Sequence, residues 1–124
     1  MLCRADSVNC IIFVKMKYPL TRFKMPKDYQ TIVDEIMKHL EGSGKKYYSD
    51  FYIGITNDVD RRLFDEHNVS RDYSWWIYRT AKDSATARDV ERHFLELGMR
   101  GGESGGNDTS NIVYCYAVTS TTVE

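Results

Sequence analysis

The chain has 124 residues, which is enough for one domain with a single hydrophobic core and too few for two. Its apolar fraction of 42% and charged fraction of 28% are those of a globular protein, which argues against intrinsic disorder. Residues 1–24 carry five basic and one acidic side chain (net +4), which leaves residues 25–124 with 12 basic and 17 acidic ones (net −5). An acidic body argues against a protein that wraps a long DNA duplex.

The apolar runs and the cysteines indicate the cellular compartment of the protein. The apolar run Cys10–Val14 is too short for a membrane span or a secretory signal. The three cysteines include no Cys-x-x-Cys pair, which predicts reduced thiols in a cytoplasmic protein and argues against a zinc site.

The chain divides near Met25. Residues 1–24 are predicted to form an N-terminal extension with a weak strand pattern, and residues 25–124 a single domain. A translation start at Met25 is a further hypothesis, because Met25 and Pro26 stand at a natural boundary where a helix can begin.

The body alternates helices and strands. The predicted order is helix, strand, helix, strand, helix, strand, at about 28–41, 48–56, 57–67, 74–80, 84–97 and 111–118. Asp28, Asn57-Asp58 and Ser84 are predicted to cap the three helices, and Gly98 to end the last one. The expected fold is a layered α+β domain with a small mixed or antiparallel three-stranded sheet, flanked by helices that include an extra N-terminal one.

The strand at 48–56 is predicted to have two different faces. Phe51, Ile53 and Ile55 alternate with a second set, and these three point to the core. The second set, Tyr52, Gly54 and Thr56, is predicted to form the polar face of the strand.

The helix at 84–97 places a carboxylate within its apolar stripe. That stripe consists of Ala87, Val90, Phe94 and Leu95. Glu91 takes the remaining position, where burial is costly unless a cation, a metal or several donors meet the carboxylate. Arg62 stands in a similar place on the preceding helix. With the Tyr52 phenol, these groups make a set that could cut a phosphodiester. The alternative is a buried Arg62–Glu91 ion pair without catalysis.

His67 and the glycine-rich loop each have a structural interpretation as well as a functional one. His67 stands near a helix end, where a cap or a surface residue is the alternative to a general base. The glycine-rich loop at 98–110 could bring backbone donors to a phosphate, and a flexible turn is the alternative.

The stretch FYIGITNDVDRRLFDEH resembles the second half of the signature of the GIY-YIG nucleases. These are small α/β domains of homing endonucleases, some restriction enzymes and the incision subunit of nucleotide-excision repair. Gly54 and Arg62 keep the family's separation of eight residues, and SATARDVERHF offers Glu91 where the family has its glutamate. The resemblance covers about residues 48–118 and extends to short bacterial or phage members of this superfamily.

The resemblance implies hydrolysis of DNA phosphodiester bonds with a divalent metal, Mg²⁺ or Mn²⁺. It identifies Tyr52 as the tyrosine of the second motif half, Arg62 as the helix arginine and Glu91 as the metal ligand. His67 approximates the helix histidine or tyrosine of the family, although it stands one residue further along.

Weaker correspondences complete the implied site. Asn107 or Asn111 matches a supporting asparagine of some members, and Arg61 is a second candidate for substrate binding.

The first half of the signature is missing. A helix and GKKYY occupy the place of the Gly-Ile-Tyr strand, so Tyr47 or Tyr48 would have to supply the second phenol. Otherwise the IIFV segment replaces that strand and brings Phe13 where a phenol is expected. If neither restores the hydroxyl, we expect a domain that has lost cleavage and kept binding.

The sequence therefore leaves three functions open. The first is an endonuclease acting on DNA, with branched or single-stranded substrates. The second is an inactive binding module for nucleic acid or a nucleotide, and the third is a protein-interaction adaptor or inhibitor from a mobile element. The endonuclease requires that Tyr48, Tyr52, Arg62 and Glu91 converge on one groove.

Overall fold

The computed structural model describes residues 27–102 and 109–124. The predictions for residues 1–24 and for Asn107 lie outside these ranges. Among the described residues, no helix has the length and apolar character needed to cross a membrane.

The described chain forms two α-helices, one π-helix and four strands. They are α1 (Tyr29–Glu41), β1 (Phe51–Thr56), the π-helix (Asp60–Glu66), β2 (Trp76–Thr80), α2 (Ser84–Leu97), β3 (Arg100–Gly101) and β4 (Ile112–Ala117). The predicted strand at 48–56 starts later than expected, because Tyr48–Asp50 form a 3-10 turn. The predicted helix at 57–67 is a π-helix in which the His67 N–H donates to the Arg62 carbonyl over 2.9 Å.

The layered α+β fold is confirmed, but the sheet has four strands and not three. Their order is β2-β4-β1-β3, with β4 antiparallel to both neighbours and β3 parallel to β1. The strand that was not predicted is β3, which has only two residues and is too short to show a periodic pattern in the sequence. Gly101 adopts a φ of 137°, which suits glycine and lets this strand pass close to the Ile53 carbonyl.

Local signals explain the helix ends. The Asp28 carboxylate accepts the Thr31 N–H over 2.9 Å, so the predicted cap of α1 is confirmed. The predicted Ser84 cap of α2 is wrong, because Asp83 has the extended backbone of a cap and its carboxylate accepts the Thr86 N–H over 2.7 Å. Gly98 ends α2 with a φ of 115°, as predicted.

Each face of the sheet carries its own core. α1 and α2 cover the face that contains Phe51, Ile53 and Ile55. The opposite face lies under the π-helix, whose Leu63 packs among Tyr52, Tyr114 and Tyr116 in a second core. The prediction of a polar second face on β1 is therefore wrong, since all six residues of β1 are buried.

Candidate functional site

Tyr114 lies directly across the sheet from Gly54. The two residues are register partners of the antiparallel pair β1–β4, and the Tyr114 ring extends over the glycine. A Cβ at position 54 would lie 2.5 Å from the Tyr114 hydroxyl oxygen, closer than real contacts allow. The glycine of the Tyr-Ile-Gly stretch thus provides the space that this phenol occupies.

His67 binds the Tyr114 hydroxyl from the end of the π-helix. Its Nε2 lies 2.8 Å from that hydroxyl, and its Nδ1 lies 2.6 Å from the Val123 carbonyl oxygen. Because a carbonyl can only accept, Nδ1 carries the hydrogen and Nε2 accepts from Tyr114. Burial lowers the pKa of His67, which keeps the ring neutral near pH 7.

Arg62 lies near the same hydroxyl. Its side chain is 18% exposed; burial lowers the pKa of Arg62, and the nearby Tyr114 hydroxyl raises it. Nη1 also lies 3.5 Å from the Glu66 carboxylate. Within the described residues Arg62 forms no ion pair with Glu91, so the alternative of a buried Arg62–Glu91 pair is not what the fold contains.

Two more phenols line the same face of the sheet. The Tyr52 ring stacks on that of Tyr116, with centroids 5.2 Å apart, and lies 4.7 Å from the His67 ring. The Tyr116 hydroxyl lies 3.0 Å from His67 Nδ1. Tyr52, Arg62, His67, Tyr114 and Tyr116 together form what we call the phenol cluster.

Burial keeps the phenols of Tyr114 and Tyr116 protonated. It raises the pKa of Tyr114 and Tyr116 well above the ordinary value for tyrosine. The nearby Arg62 acts in the opposite direction and lowers the pKa of Tyr114. The resting site therefore holds a neutral phenol between a permanent cation and a neutral imidazole.

Glu91 lies in the other layer of the fold. It belongs to α2, which packs on the face of the sheet opposite the π-helix. Burial, Tyr52 and Arg62 have larger effects on the pKa of the Tyr114 phenol, and the charge of Glu91 raises that pKa least. Burial raises the pKa of the half-buried Glu91 carboxylate itself, and Arg88 and Arg92 only partly offset this. No described residue gives it a hydrogen bond or an ion pair.

Glu91 is the residue that would hold a metal here. Among the described residues no group of three His, Cys, Asp or Glu side chains is arranged to hold a metal ion. A single half-buried carboxylate is compatible with Mg²⁺ or Mn²⁺, because Mg²⁺ keeps several waters and takes its other oxygens from substrate phosphate.

Some sequence-predicted residues lie elsewhere. Tyr48 is not part of the phenol cluster: it packs on the α1 side of the sheet, where its hydroxyl lies 3.6 Å from Met37 Sδ. Arg61 is half-exposed and pairs with Glu66 over 3.1 Å. Asn111 donates to the Ala81 carbonyl over 3.2 Å, a structural role between β2 and β4.

The sequence reasoning missed Tyr114 and Tyr116. A signal was available, since Tyr114 and Tyr116 flank Cys115 in a strand and so share one face. Comparison with family models, curated proteins and solved structures yields no match for this chain.

Proposed function

We propose that this protein hydrolyses phosphodiester bonds of DNA with the help of a divalent cation. The observation that carries the proposal is the Tyr114 hydroxyl, which lies 2.8 Å from the unprotonated nitrogen of His67 and near enough to Arg62 for this cation to lower the pKa of the phenol. A buried packing tyrosine needs one hydrogen-bond partner for its hydroxyl, whereas proton transfer beside a phosphate uses a base and a cation together.

The cluster would act as a proton acceptor for the attacking water. Because the Tyr114 side chain is fully buried under the π-helix, this helix would have to move to admit the substrate. The water oxygen would then bond to phosphorus, its proton would pass to the Tyr114 oxygen, and the phenolic hydrogen would pass to Nε2 of His67. The bond from phosphorus to the leaving oxygen would break as the new one forms, and the leaving oxygen would take a proton from solvent. Arg62 stabilises negative charge on the phenol oxygen and on the phosphate.

The Val123 carbonyl and the Glu66 and Glu124 carboxylates favour the charged form of His67 that results, since each of them raises its pKa. Glu91 would hold Mg²⁺ or Mn²⁺, which neutralises charge on the phosphate oxygens when bound.

The exposed ring of Tyr78 favours a single-stranded substrate. Tyr78 pairs with Tyr114 across β2 and β4, and its side chain is 40% exposed on the face that carries the phenol cluster. Its ring is parallel to that of Trp76 within 5°. Bases of a single strand can stack on such a ring, whereas those of a duplex are stacked on one another. The acidic body also disfavours a duplex.

Cleavage of a labelled single-stranded oligonucleotide with Mg²⁺ tests the proposal. Glu91→Gln should remove metal-dependent cleavage, while the matched variant Glu96→Gln, on the exposed side of the same helix, should retain it. Cleavage that survives Glu91→Gln would contradict the proposal. Retention of DNA without cleavage by the wild type would support the binding module instead.

The strand preference has a separate test. Tyr78→Ala should weaken binding of the single strand, by about 1–3 kcal/mol if one base stacks there. Tyr73→Ala removes a ring that is 92% exposed and should have no effect. Equal affinity of both variants would exclude Tyr78 as the stacking platform.

A further inference from the structure

The C-terminal residues form reciprocal hydrogen bonds with His67. The Val123 N–H donates to the His67 carbonyl over 2.8 Å, and His67 Nδ1 donates to the Val123 carbonyl over 2.6 Å. A residue 56 positions away in the chain thus holds both the backbone and the ring of the histidine. Val123 is 54% exposed as a residue, and its contacts with His67 come from its main chain.

Contacts on both sides of Val123 fix this segment. The Glu124 carboxylate accepts from Arg100 Nη1 over 2.6 Å, and Arg100 Nε donates to the Ser49 carbonyl over 2.9 Å. On the other side, Asn68 Nδ2 donates to the Thr121 carbonyl over 3.0 Å. Contacts before and after Val123 in the chain therefore hold its main chain in place.

His67 has a second partner for the same nitrogen. The Tyr116 hydroxyl lies 3.0 Å from Nδ1 and 3.4 Å from the Val123 carbonyl. A hydroxyl can donate as well as accept, so Tyr116 is compatible with either neutral tautomer. The carbonyl of Val123 is compatible only with a hydrogen on Nδ1.

We propose that Val123 is a positioning residue whose main chain selects the Nδ1–H tautomer of His67 and so keeps Nε2 free to accept the Tyr114 proton. In the other tautomer Nε2 carries a hydrogen and donates to Tyr114, which blocks proton acceptance. Without Val123, Tyr116 donates to Nδ1 and stabilises that blocked form. The tautomer preference follows from the contacts alone; its catalytic consequence rests on the proposed function.

Nitrogen NMR of ¹⁵N-labelled protein at pH 7.5, without DNA, tests the inference. The nitrogen that lacks a hydrogen resonates far downfield of the protonated one, and His67→Gln assigns the signals among the three histidines. We expect the Nδ1–H pattern in the wild type. A chain that ends at Thr122 should shift toward the Nε2–H pattern, whereas Glu124→Gln, which keeps the main chain of Val123, should not.

Two results would overturn the inference. One is an Nε2–H pattern for His67 in the intact chain, which needs no variant to fold. The other is an unchanged Nδ1–H pattern in the chain that ends at Thr122, with circular dichroism showing that the shortened chain is folded.

Cleavage rates separate this inference from the proposed function. If the wild type cleaves DNA, the shortened chain should lose about 10²-fold or more in single-turnover rate, as expected when a general base is disabled. If the wild type does not cleave DNA but the tautomer follows Val123, the proposed function fails and the positioning role of Val123 stands.

Discussion

Nε2 of His67 lies 2.8 Å from the Tyr114 hydroxyl although the two residues are 47 positions apart in the chain. The imidazole comes from the end of the π-helix and the phenol from β4, the strand that pairs with β1 beside Gly54. Burying two polar groups costs free energy unless they form a hydrogen bond with each other. The proposed hydrolysis uses this pair as its proton acceptor.

Gly54→Ala should displace the Tyr114 ring. The new Cβ would lie 2.5 Å from the phenol oxygen and 2.6 Å from the ring carbon that bears it, so we expect a loss of about 1–3 kcal/mol in the free energy of unfolding. In a Tyr114→Ala background the clash disappears and the same substitution should cost less. Urea denaturation of the four proteins of this double-mutant cycle measures the difference.

Gly44→Ala serves as the control for that cycle. No atom lies within 4 Å of its Cβ position, and its cost arises from a φ of 81°. That cost should be the same with and without the Tyr114 phenol. A Gly54→Ala penalty equally independent of Tyr114 would contradict the packing described here.

Arg62→Lys should lower the cleavage rate by about 10²–10³-fold, the usual effect of losing one donor that stabilises developing negative charge. Lysine keeps the positive charge but lacks the planar set of donors that serves both Tyr114 and Glu66. Arg61→Lys is the matched change on the neighbouring half-exposed side chain and should retain most activity. Equal rates for the two variants would remove Arg62 from the site.

Stability should fall as the pH drops below about 6.5. Burial lowers the pKa of His39, His67 and His93, so the unfolded chain binds protons that the folded chain resists, and acid favours unfolding. Glu91 acts with the opposite sign, because its raised pKa makes the folded chain bind a proton more readily than the unfolded one. Urea denaturation at pH 7.5 and 5.5 measures the net change.

The His67 contribution to that change can be isolated. Its environment consists of Arg62 and Glu66 from the π-helix, Tyr52, Tyr114 and Tyr116 from the sheet, and Glu124 from the C-terminal segment. Burial and Arg62 lower its pKa, while the Val123 carbonyl and the two carboxylates raise it. His67→Gln should therefore reduce the dependence of stability on pH between 7.5 and 5.5. If stability depends on pH to the same extent in His67→Gln and in the wild type, His67 is not an uncharged buried residue in the folded protein.

Local periodicity was sufficient to predict most of the elements. The helix predicted at 84–97 has those bounds in the structure, because its apolar stripe and Gly98 are both local signals. The two-residue strand at Arg100–Gly101 has no such signal, and it forms only because β1 offers a free edge. The polar face predicted for β1 was wrong for a related reason, since the π-helix that covers it packs through Leu63 in tertiary contacts.

Sequence patterns identified only some of the residues of the candidate site. Arg62 and Glu91 could be selected because a charge within an apolar stripe is anomalous on its own element. The alternation of Tyr114 and Tyr116 in the last strand indicated a shared face, but the pairing of Tyr114 with Gly54, which is 60 residues away in the chain, is not encoded in either local pattern. Tyr48 was expected to supply the second phenol, but the turn that precedes β1 directs it to the other core.

Single-turnover cleavage of a single-stranded oligonucleotide by Tyr114→Phe tests the central claim most directly. The variant keeps the ring that packs over Gly54 and removes only the hydroxyl that lies between Arg62 and His67. With Mg²⁺ present we expect the rate to fall by about 10²-fold or more relative to the wild type and to Tyr73→Phe, whose hydroxyl is on the surface. Cleavage by Tyr114→Phe at the wild-type rate would contradict the account.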